Sequence, residues 1–211
     1  MLDVHAPHHR MQGIKDFLLH LFTITIGLLI ALSLEGCVER HNHRVLVREA
    51  EDGLRGEIAG NAKIVGSLRQ QITDQEKELD ANLAVLAQVK THPGEKHPLS
   101  FAFRMRPFNN VAWKTAQTTG AFAYMPYRDA QTYSTIYATQ DDLYKAEQDV
   151  VEDVMRAAAY PSTTSDDWQP TPAQVDALTE RIGLVRMRLL LLRGFVDTLD
   201  GTYRDFEAEH R

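Results

Sequence analysis

The feature that most constrains this chain is an uncharged run near its beginning, from Phe17 to Leu34. Its 18 residues include only four conspicuously polar side chains: His20, Thr23, Thr25 and Ser33. A helix of about 20 apolar residues crosses a hydrocarbon core of about 30 Å. In lipid a single segment must satisfy its own backbone hydrogen bonds, which favours a helix. Because Cys37 and Val38 extend the run, we predict a transmembrane helix over residues 17–38, after a polar tail over residues 1–16.

Two alternatives to a plain anchor concern this run. A secretory signal has an apolar core of about 7–15 residues followed by small residues, whereas this run is longer and lacks that pattern. Residues 34–37, LEGC, resemble a bacterial lipobox, although glutamate before the glycine fits that motif poorly. We favour an uncleaved anchor with Cys37 at the membrane edge, and lipidation of this cysteine stays the alternative.

The charges that flank the run favour neither orientation. Two basic residues precede it and three follow closely, namely Arg10 and Lys15 against Arg40, Arg44 and Arg48. This difference is too small for the positive-inside rule to decide. Because a short tail before a first span usually stays in the cytoplasm, we expect a single-pass protein of the bacterial inner membrane whose remaining domain is periplasmic.

One face of the span carries small residues. His20, Thr23, Gly27 and Ala31 follow one another at steps of three, four and four, so they share a helix face. Small residues at this spacing let two membrane helices approach closely, and a histidine on the same face is costly to expose to lipid. We predict an oligomer or docking interface here. Incidental small residues in a lone anchor are the equally simple alternative.

The span continues into residues rich in helix formers, and we predict a long helix over residues 39–90. Two polar residues, Asn61 and Gln75, interrupt its apolar stripe. The stripe has a period near 3.5, which is typical of a coiled coil, and consists of Leu54, Ile58, Val65, Leu68, Ile72, Leu79, Leu83 and Leu86.

Residues 95–122 are predicted to be an aromatic cover followed by a short helix. Phe101, Phe103 and Met105 alternate with other residues at period two, as in a strand, but no second strand is in sight. We expect an extended segment that covers the end of the bundle far from the membrane; an edge for a partner strand is the alternative. Asn109 or Asn110 suits the cap of the short helix.

Two further long helices are predicted over residues 126–160 and 171–210. Thr171 and Gln174 form a capping box at the start of the second. Leu190 and Leu191 widen its stripe, so we expect this helix to touch two neighbours there. The stripe steps by three and four for more than four heptads and comprises Val175, Leu178, Ile182, Val185, Leu189, Leu192, Val196, Leu199, Tyr203 and Phe206.

Aromatic residues concentrate between positions 101 and 144. A tyrosine has an apolar body and a polar tip, so these residues define a candidate ligand or partner face. We favour ordinary core packing where helices meet over a ligand pocket. The candidates are Trp113, Tyr133, Tyr137 and Tyr144.

The sequence contains no recognisable catalytic or metal-binding motif. Phosphate-binding loops, nucleophile elbows and zinc motifs are absent from the sequence. The histidines of the tail, His5, His8 and His9, lack a nearby acidic or cysteine ligand at a useful spacing, and we interpret them as solvated. The carboxylates Glu147, Asp149, Glu152 and Asp153 lack partner histidines, and we interpret them as a solvated helix face. We therefore predict a protein that is not an enzyme, with no cofactor and no metal.

The net charge of −6 and pI of about 5.8 argue against nucleic-acid binding.

Two segments, LLHLFTITIGLLIALSLEGCVERHNHR (18–44) and AWKTAQTTGAF (112–122), resemble an uncharacterised bacterial family of single-pass membrane proteins with a helical domain. The resemblance implies an architecture and no site residues.

We predict an all-α fold, in which the span continues into an elongated antiparallel bundle over residues 39–211. Its predicted role is a scaffold or accessory subunit in the lipid bilayer, associating with a second copy or another membrane protein through its span and coiled-coil stripes. A sensory bundle that binds a small ligand and signals through a partner is the alternative.

Overall fold

A computed structural model describes residues 13–92, 99–162 and 170–209. These residues confirm the all-α prediction, because they form helices and no strand. The tail histidines and most of the turn before Thr171 lie outside the described residues. The elements in chain order are α1 (Ile14–Thr91), α2 (Val111–Thr118), a 3-10 turn (Ala121–Ala123), α3 (Tyr127–Ser162) and α4 (Pro172–Glu209).

The chain divides into two compact units, Met1–Arg48 and Glu49–Arg211. In the described part of the first, every side chain from Phe17 to Leu34 is exposed. This part of α1 is long and apolar enough to cross a membrane, and it is the only such helix among the described residues. The hydroxyls of Thr23, Thr25 and Ser33 each donate to the carbonyl four residues earlier, so the helix itself satisfies them.

The second unit begins with residues 49–91 of α1, whose buried side chains, apart from Glu57, fall in two series with steps of seven. One series is wholly apolar and contains Ile58, Val65, Ile72, Leu79 and Leu86. The other mixes apolar and polar residues and contains Leu54, Asn61, Leu68, Gln75, Asn82 and Val89. Asn82 is buried where the stripe was predicted to use Leu83, which is half-buried. The polar residues therefore belong to the seam of α1.

Helix α4 shows where the sequence pattern succeeds and where it fails. Its buried residues are the ten of the predicted stripe, from Val175 to Phe206. The capping box also forms, since the Thr171 amide donates to Gln174 Oε1 over 2.7 Å and the Gln174 amide donates to Thr171 Oγ1 over 3.3 Å. The prediction for Leu190 and Leu191 is wrong, because these side chains are 57% and 56% exposed. Leu190 and Leu191 therefore do not pack against a second neighbouring helix.

Ion pairs give the direction of α4 relative to α1. Arg69 of α1 pairs with Asp200 at 3.2 Å, while Lys90 pairs with Asp176 at 2.6 Å. Residue numbers thus fall on α4 as they rise on α1, and the two helices are antiparallel. Exposed pairs of this kind contribute little stability, typically below about 1 kcal/mol each. These ion pairs show how α1 and α4 are aligned, and the buried apolar residues supply most of the stability.

Helix α3 runs parallel to α1 and antiparallel to α4. Its Tyr137 donates to Glu57 and its Gln140 accepts from Asn61, so numbers rise together on α1 and α3. Against α4, the Tyr133 ring lies 5.5 Å from that of Phe206. Between the end of α1 and the start of α3, the chain must therefore run back along α1 to the level of Glu57 and Asn61.

An extended segment, residues 99–110, makes this return and is called the strap below. Its start, Ser100, is bonded to Asn82, and its end, Asn109, is bonded to Asn61. The 21 helical steps from Asn61 to Asn82 span about 31 Å, and the nine extended steps from Ser100 to Asn109 span about 30 Å. The strap thus lies along α1 with its backbone almost fully stretched. Phe101, Phe103 and Met105 are partly buried and alternate with exposed neighbours.

The expectation that the cover lies at the far end of the bundle is wrong for its second half. Helix α2 follows the strap and lies beside Gly53 and Glu57 of α1, at the opposite end from Thr91. A Cβ on Gly53 would lie 3.5 Å from that of Ala112. The physical reason is the strap itself, because an extended chain covers more than twice the helical rise per residue.

Candidate functional site

The best-defined polar arrangement of the second unit surrounds the buried carboxylate of Glu57. Its Oε2 accepts the backbone N–H of Ala112 over 2.8 Å, and its Oε1 accepts that of Trp113 over 3.3 Å. Both amides belong to the first turn of α2, where backbone donors have no partner within the helix. A carboxylate is also favoured by the positive end of the helix dipole. Glu57 therefore caps α2 from another helix.

The cap predicted from the local sequence takes a different form. Asn110 occupies the cap position of α2, but its side chain makes no capping hydrogen bond. Asn109 contributes locally, since its Oδ1 accepts the Val111 N–H over 3.2 Å. At the other end of α2, Gly120 adopts a left-handed conformation with φ of 74°, which a residue with a Cβ rarely adopts. A glycine is therefore required where α2 ends.

Tyr137 of α3 completes the surroundings of Glu57. Its hydroxyl donates to Glu57 Oε1 over 2.5 Å. The Trp113 and Tyr137 rings stack with centroids 4.6 Å apart and planes 14° apart, and the Phe122 ring centroid lies 4.9 Å from that of Trp113. Burial first, and then the hydrogen bond to Glu57, raise the pKa of Tyr137, so it is a neutral donor at any physiological pH.

Two asparagines of α1 hold the strap by its backbone. Asn61 Nδ2 donates to the Asn109 carbonyl over 2.8 Å, while its Oδ1 accepts the Asn109 N–H over 2.9 Å. Asn82 repeats this pair with Ser100, at 2.6 and 3.0 Å. A side-chain amide thus replaces the neighbouring strand that an extended segment normally needs. Between these points Gln71 donates to the Arg104 carbonyl.

The four aromatic candidates do not form one open face. Trp113 stacks on Tyr137 beside the cap, Tyr133 packs against Phe206, and both tyrosines are buried. Burial raises the pKa of Tyr133, and it does the same for Tyr203, which is buried on α4. Tyr144 points elsewhere and is 37% exposed. Tyr133 and Tyr137 therefore belong to the core, while Trp113 is half-buried.

The exposed Tyr144 lines a shallow depression of about 300 Å³. This volume is at the lower limit of small-molecule sites. The depression is open to solvent, and its walls come from the strap, its end and α3: Pro107, Phe108, Asn110, Gln140, Asp141 and Tyr144. It is the described cavity that comes nearest to the predicted aromatic face.

The interpretation of Glu147, Asp149, Glu152 and Asp153 as a solvated helix face is wrong for the first of them, and the Asp153 side chain is only 18% exposed. Glu147 is fully buried, whereas the side chains of Asp149 and Glu152 are 52% and 58% exposed. Both carboxyl oxygens of Glu147 lack a hydrogen-bond partner. Burial raises its pKa to about 7, although the nearby backbone of Arg106 favours the charged form and acts in the opposite direction.

The predicted association face of the span is exposed in the structure. His20, Thr23, Gly27 and Ala31 all lie on α1 with exposed side chains, and a Cβ on Gly27 would meet no atom within 4 Å. Cys37 is exposed. Among the described residues no group of three or more His, Cys, Asp or Glu side chains is placed to hold a metal ion.

Sequence reasoning overlooked Glu57, Asn61 and Asn82 as determinants of the fold. A signal was present, because Asn61, Gln75 and Asn82 are separated by 14 and 7 residues and so occupy one heptad position. Polar residues repeated at a single seam position indicate a polar partner for that seam. Comparisons with protein-family models, curated proteins and solved structures return no match for this chain.

Proposed function

We propose that the protein is a membrane-anchored, non-enzymatic helical scaffold or accessory subunit that associates through its span. The observation that carries the proposal is the complete exposure of residues 17–34 within the protein. An uncharged helical face of this length must be covered by lipid or by another protein. We place the span in a bacterial inner membrane and the second unit in the periplasm.

The surfaces that remain available support association through the span. The heptad residues of α1 and α4 are buried inside the second unit, so they are occupied within one chain. The small-residue face of the span has no such partner, and its Thr23 hydroxyl is already bonded to the Leu19 carbonyl. Close backbone approach at Gly27, rather than side-chain hydrogen bonding, is therefore the proposed basis of association.

The test is crosslinking of the full chain in native membranes, followed by mass spectrometry. Gly27→Ile adds bulk on the small-residue face, and Ser33→Ile adds a similar side chain on another face of the same helix. We expect a crosslinked second copy or membrane partner for the wild type and for Ser33→Ile, and at least a tenfold loss for Gly27→Ile. A wild-type chain that stays monomeric and captures no membrane protein refutes the proposal. A reporter fused to the C-terminus tests the periplasmic location.

The depression at Tyr144 favours a second candidate function, a sensory bundle that binds a small ligand and signals through a partner. Its aromatic and polar walls suit a flat ligand with hydrogen-bonding groups. Thermal-shift screening with a metabolite panel tests this function. We expect a stabilising compound to lose its effect in Tyr144→Ala and to keep it in Tyr124→Ala, because Tyr124 is not in the wall of this depression. The absence of any stabilising compound removes this candidate.

A further inference from the structure

The strap covers a buried acid that has no partner. Glu147 lies on α3 with no exposed surface, and neither carboxyl oxygen has a hydrogen-bond partner. The backbone of Arg106, in the strap, lies close enough to this carboxyl to favour its charged form. The strap is fastened on either side of this point, by Asn82 at Ser100 and by Asn61 at Asn109. Glu147 is therefore sealed from water by a segment that is attached through side-chain amides.

Charged groups on the surrounding elements are engaged elsewhere or point outward. On α4, Arg188 pairs with Asp149 and Asp153, and Arg193 pairs with Glu76 of α1. On α1, Arg69 pairs with Asp197 and Asp200, and Glu78 has a buried carboxyl oxygen without a partner. In the strap, the side chains of Arg104 and Arg106 are exposed. No described ion pair includes Glu147.

An ionised carboxylate in such a place is costly. Burying an unpaired charge without hydrogen bonds is so unfavourable that the group takes up a proton or the structure opens to water. Opening here requires only that the strap lift away, because the helices on the other sides are joined by the apolar core. Moving the strap is thus the way of giving water access to Glu147 that costs the least free energy.

We propose that protonation of Glu147 controls the docking of the strap: residues 99–110 lie in place over the neutral carboxyl and are released when it ionises. The regulated surface is the groove of α1 and α3 beneath the strap. Release exposes Asn61, Gln71 and Asn82, which recognise backbone groups and no particular side chain.

The direction and size of the pH effect follow from linkage. The pKa of Glu147 is about 7 with the strap docked and close to the ordinary 4.5 when water reaches the carboxyl. Between these values the docked form holds one more proton than the released form, so docking weakens as pH rises and levels off above about pH 7. These two pKa values predict a roughly 70-fold rise in the opening equilibrium constant between about pH 5 and pH 8.

Hydrogen exchange of the full chain in detergent micelles, read by mass spectrometry and corrected for intrinsic exchange rates, tests the proposal. The strap amides, including those of Ser100 and Asn109, report opening, and the amides of α4 serve as the internal reference. We expect the wild-type opening constant of the strap to rise by the calculated factor from about pH 5 to pH 8, with unchanged protection in α4.

Two uncharged variants and one control separate this effect from general instability. Glu147→Gln and Glu147→Met cannot ionise, so their strap protection is expected to be independent of pH. Glu152→Gln makes the same change at an exposed carboxylate of α3 and is expected to follow the wild type. The proposal is overturned if the wild-type strap shows no pH dependence, or if both Glu147 variants retain the wild-type dependence.

Discussion

Replacing Asn61 by leucine distinguishes the sequence pattern from the structure most sharply. On the pattern alone, leucine completes an interrupted apolar stripe and should stabilise the protein by about 1.5–3 kcal/mol. In the structure Asn61 is fully buried and bonded to both backbone groups of Asn109, and its Nδ2 lies 3.4 Å from Gln140 Oε1. The structure therefore predicts the opposite sign.

The magnitude follows from the groups left without partners. Loss of a buried partner costs about 1–3 kcal/mol for each neutral donor or acceptor, and Asn61→Leu removes the partner of three such groups. Partial access of water to Asn109 lowers this cost, and the added apolar burial offsets about 2 kcal/mol. We expect a net destabilisation of about 1–4 kcal/mol, together with faster hydrogen exchange in the strap.

Gln75→Leu is the matched control, because Gln75 occupies the same heptad series and is 2% exposed. Its Nε2 has no hydrogen-bond partner, so leucine is expected to be neutral or to stabilise by up to about 2 kcal/mol. Urea unfolding of the full chain in detergent, followed by circular dichroism, measures both free energies of unfolding. If Asn61→Leu stabilises the protein as much as Gln75→Leu does, the role assigned to Asn61 is refuted.

Two further pairs of variants test the core. Leu189→Ala is expected to destabilise by about 2–5 kcal/mol because Leu189 is fully buried, and Leu190→Ala by less than about 0.5 kcal/mol because that side chain is 57% exposed; equal losses in urea unfolding contradict the burial pattern of α4. Tyr137→Phe removes a donor to Glu57 and is expected to cost about 1–3 kcal/mol. Tyr144→Phe is the control and is expected to stay within about 0.5 kcal/mol of the wild type. A Tyr137→Phe protein as stable as Tyr144→Phe contradicts the bond to Glu57.

Much of the helical framework was predictable because its causes are local. The ten buried residues of α4 follow from one uninterrupted period, and the Thr171–Gln174 box forms from residues three apart. Proline at 126 and glycine at 120 mark ends that steric rules impose. Leu190 and Leu191 were misjudged because hydrophobicity alone does not say whether a neighbouring element reaches a given face.

The candidate site was only partly predictable. The aromatic residues were identified as a group, but their division into buried Tyr133 and Tyr137, half-buried Trp113 and exposed Tyr144 depends on the tertiary packing. Glu147 was predicted to lie on a solvated face because the acidic cluster to which it belongs lacks partner histidines. Its own burial results from the strap passing over it, and the strap comes from residues about 40 positions earlier in the chain.

The sequence by itself determined the helices and the apolar run, since helix propensity, heptad period and the length of Phe17–Leu34 are properties of neighbouring residues. The tertiary structure alone decided what the polar seam residues do. Glu57 caps a helix 55 residues later, and Asn61 bonds to a backbone 48 residues later. Such bonds join groups that no local pattern relates, because a polar side chain and a distant backbone meet only after the strap has folded back along α1. A polar residue in an apolar stripe therefore predicts a partner, and the fold supplies its identity.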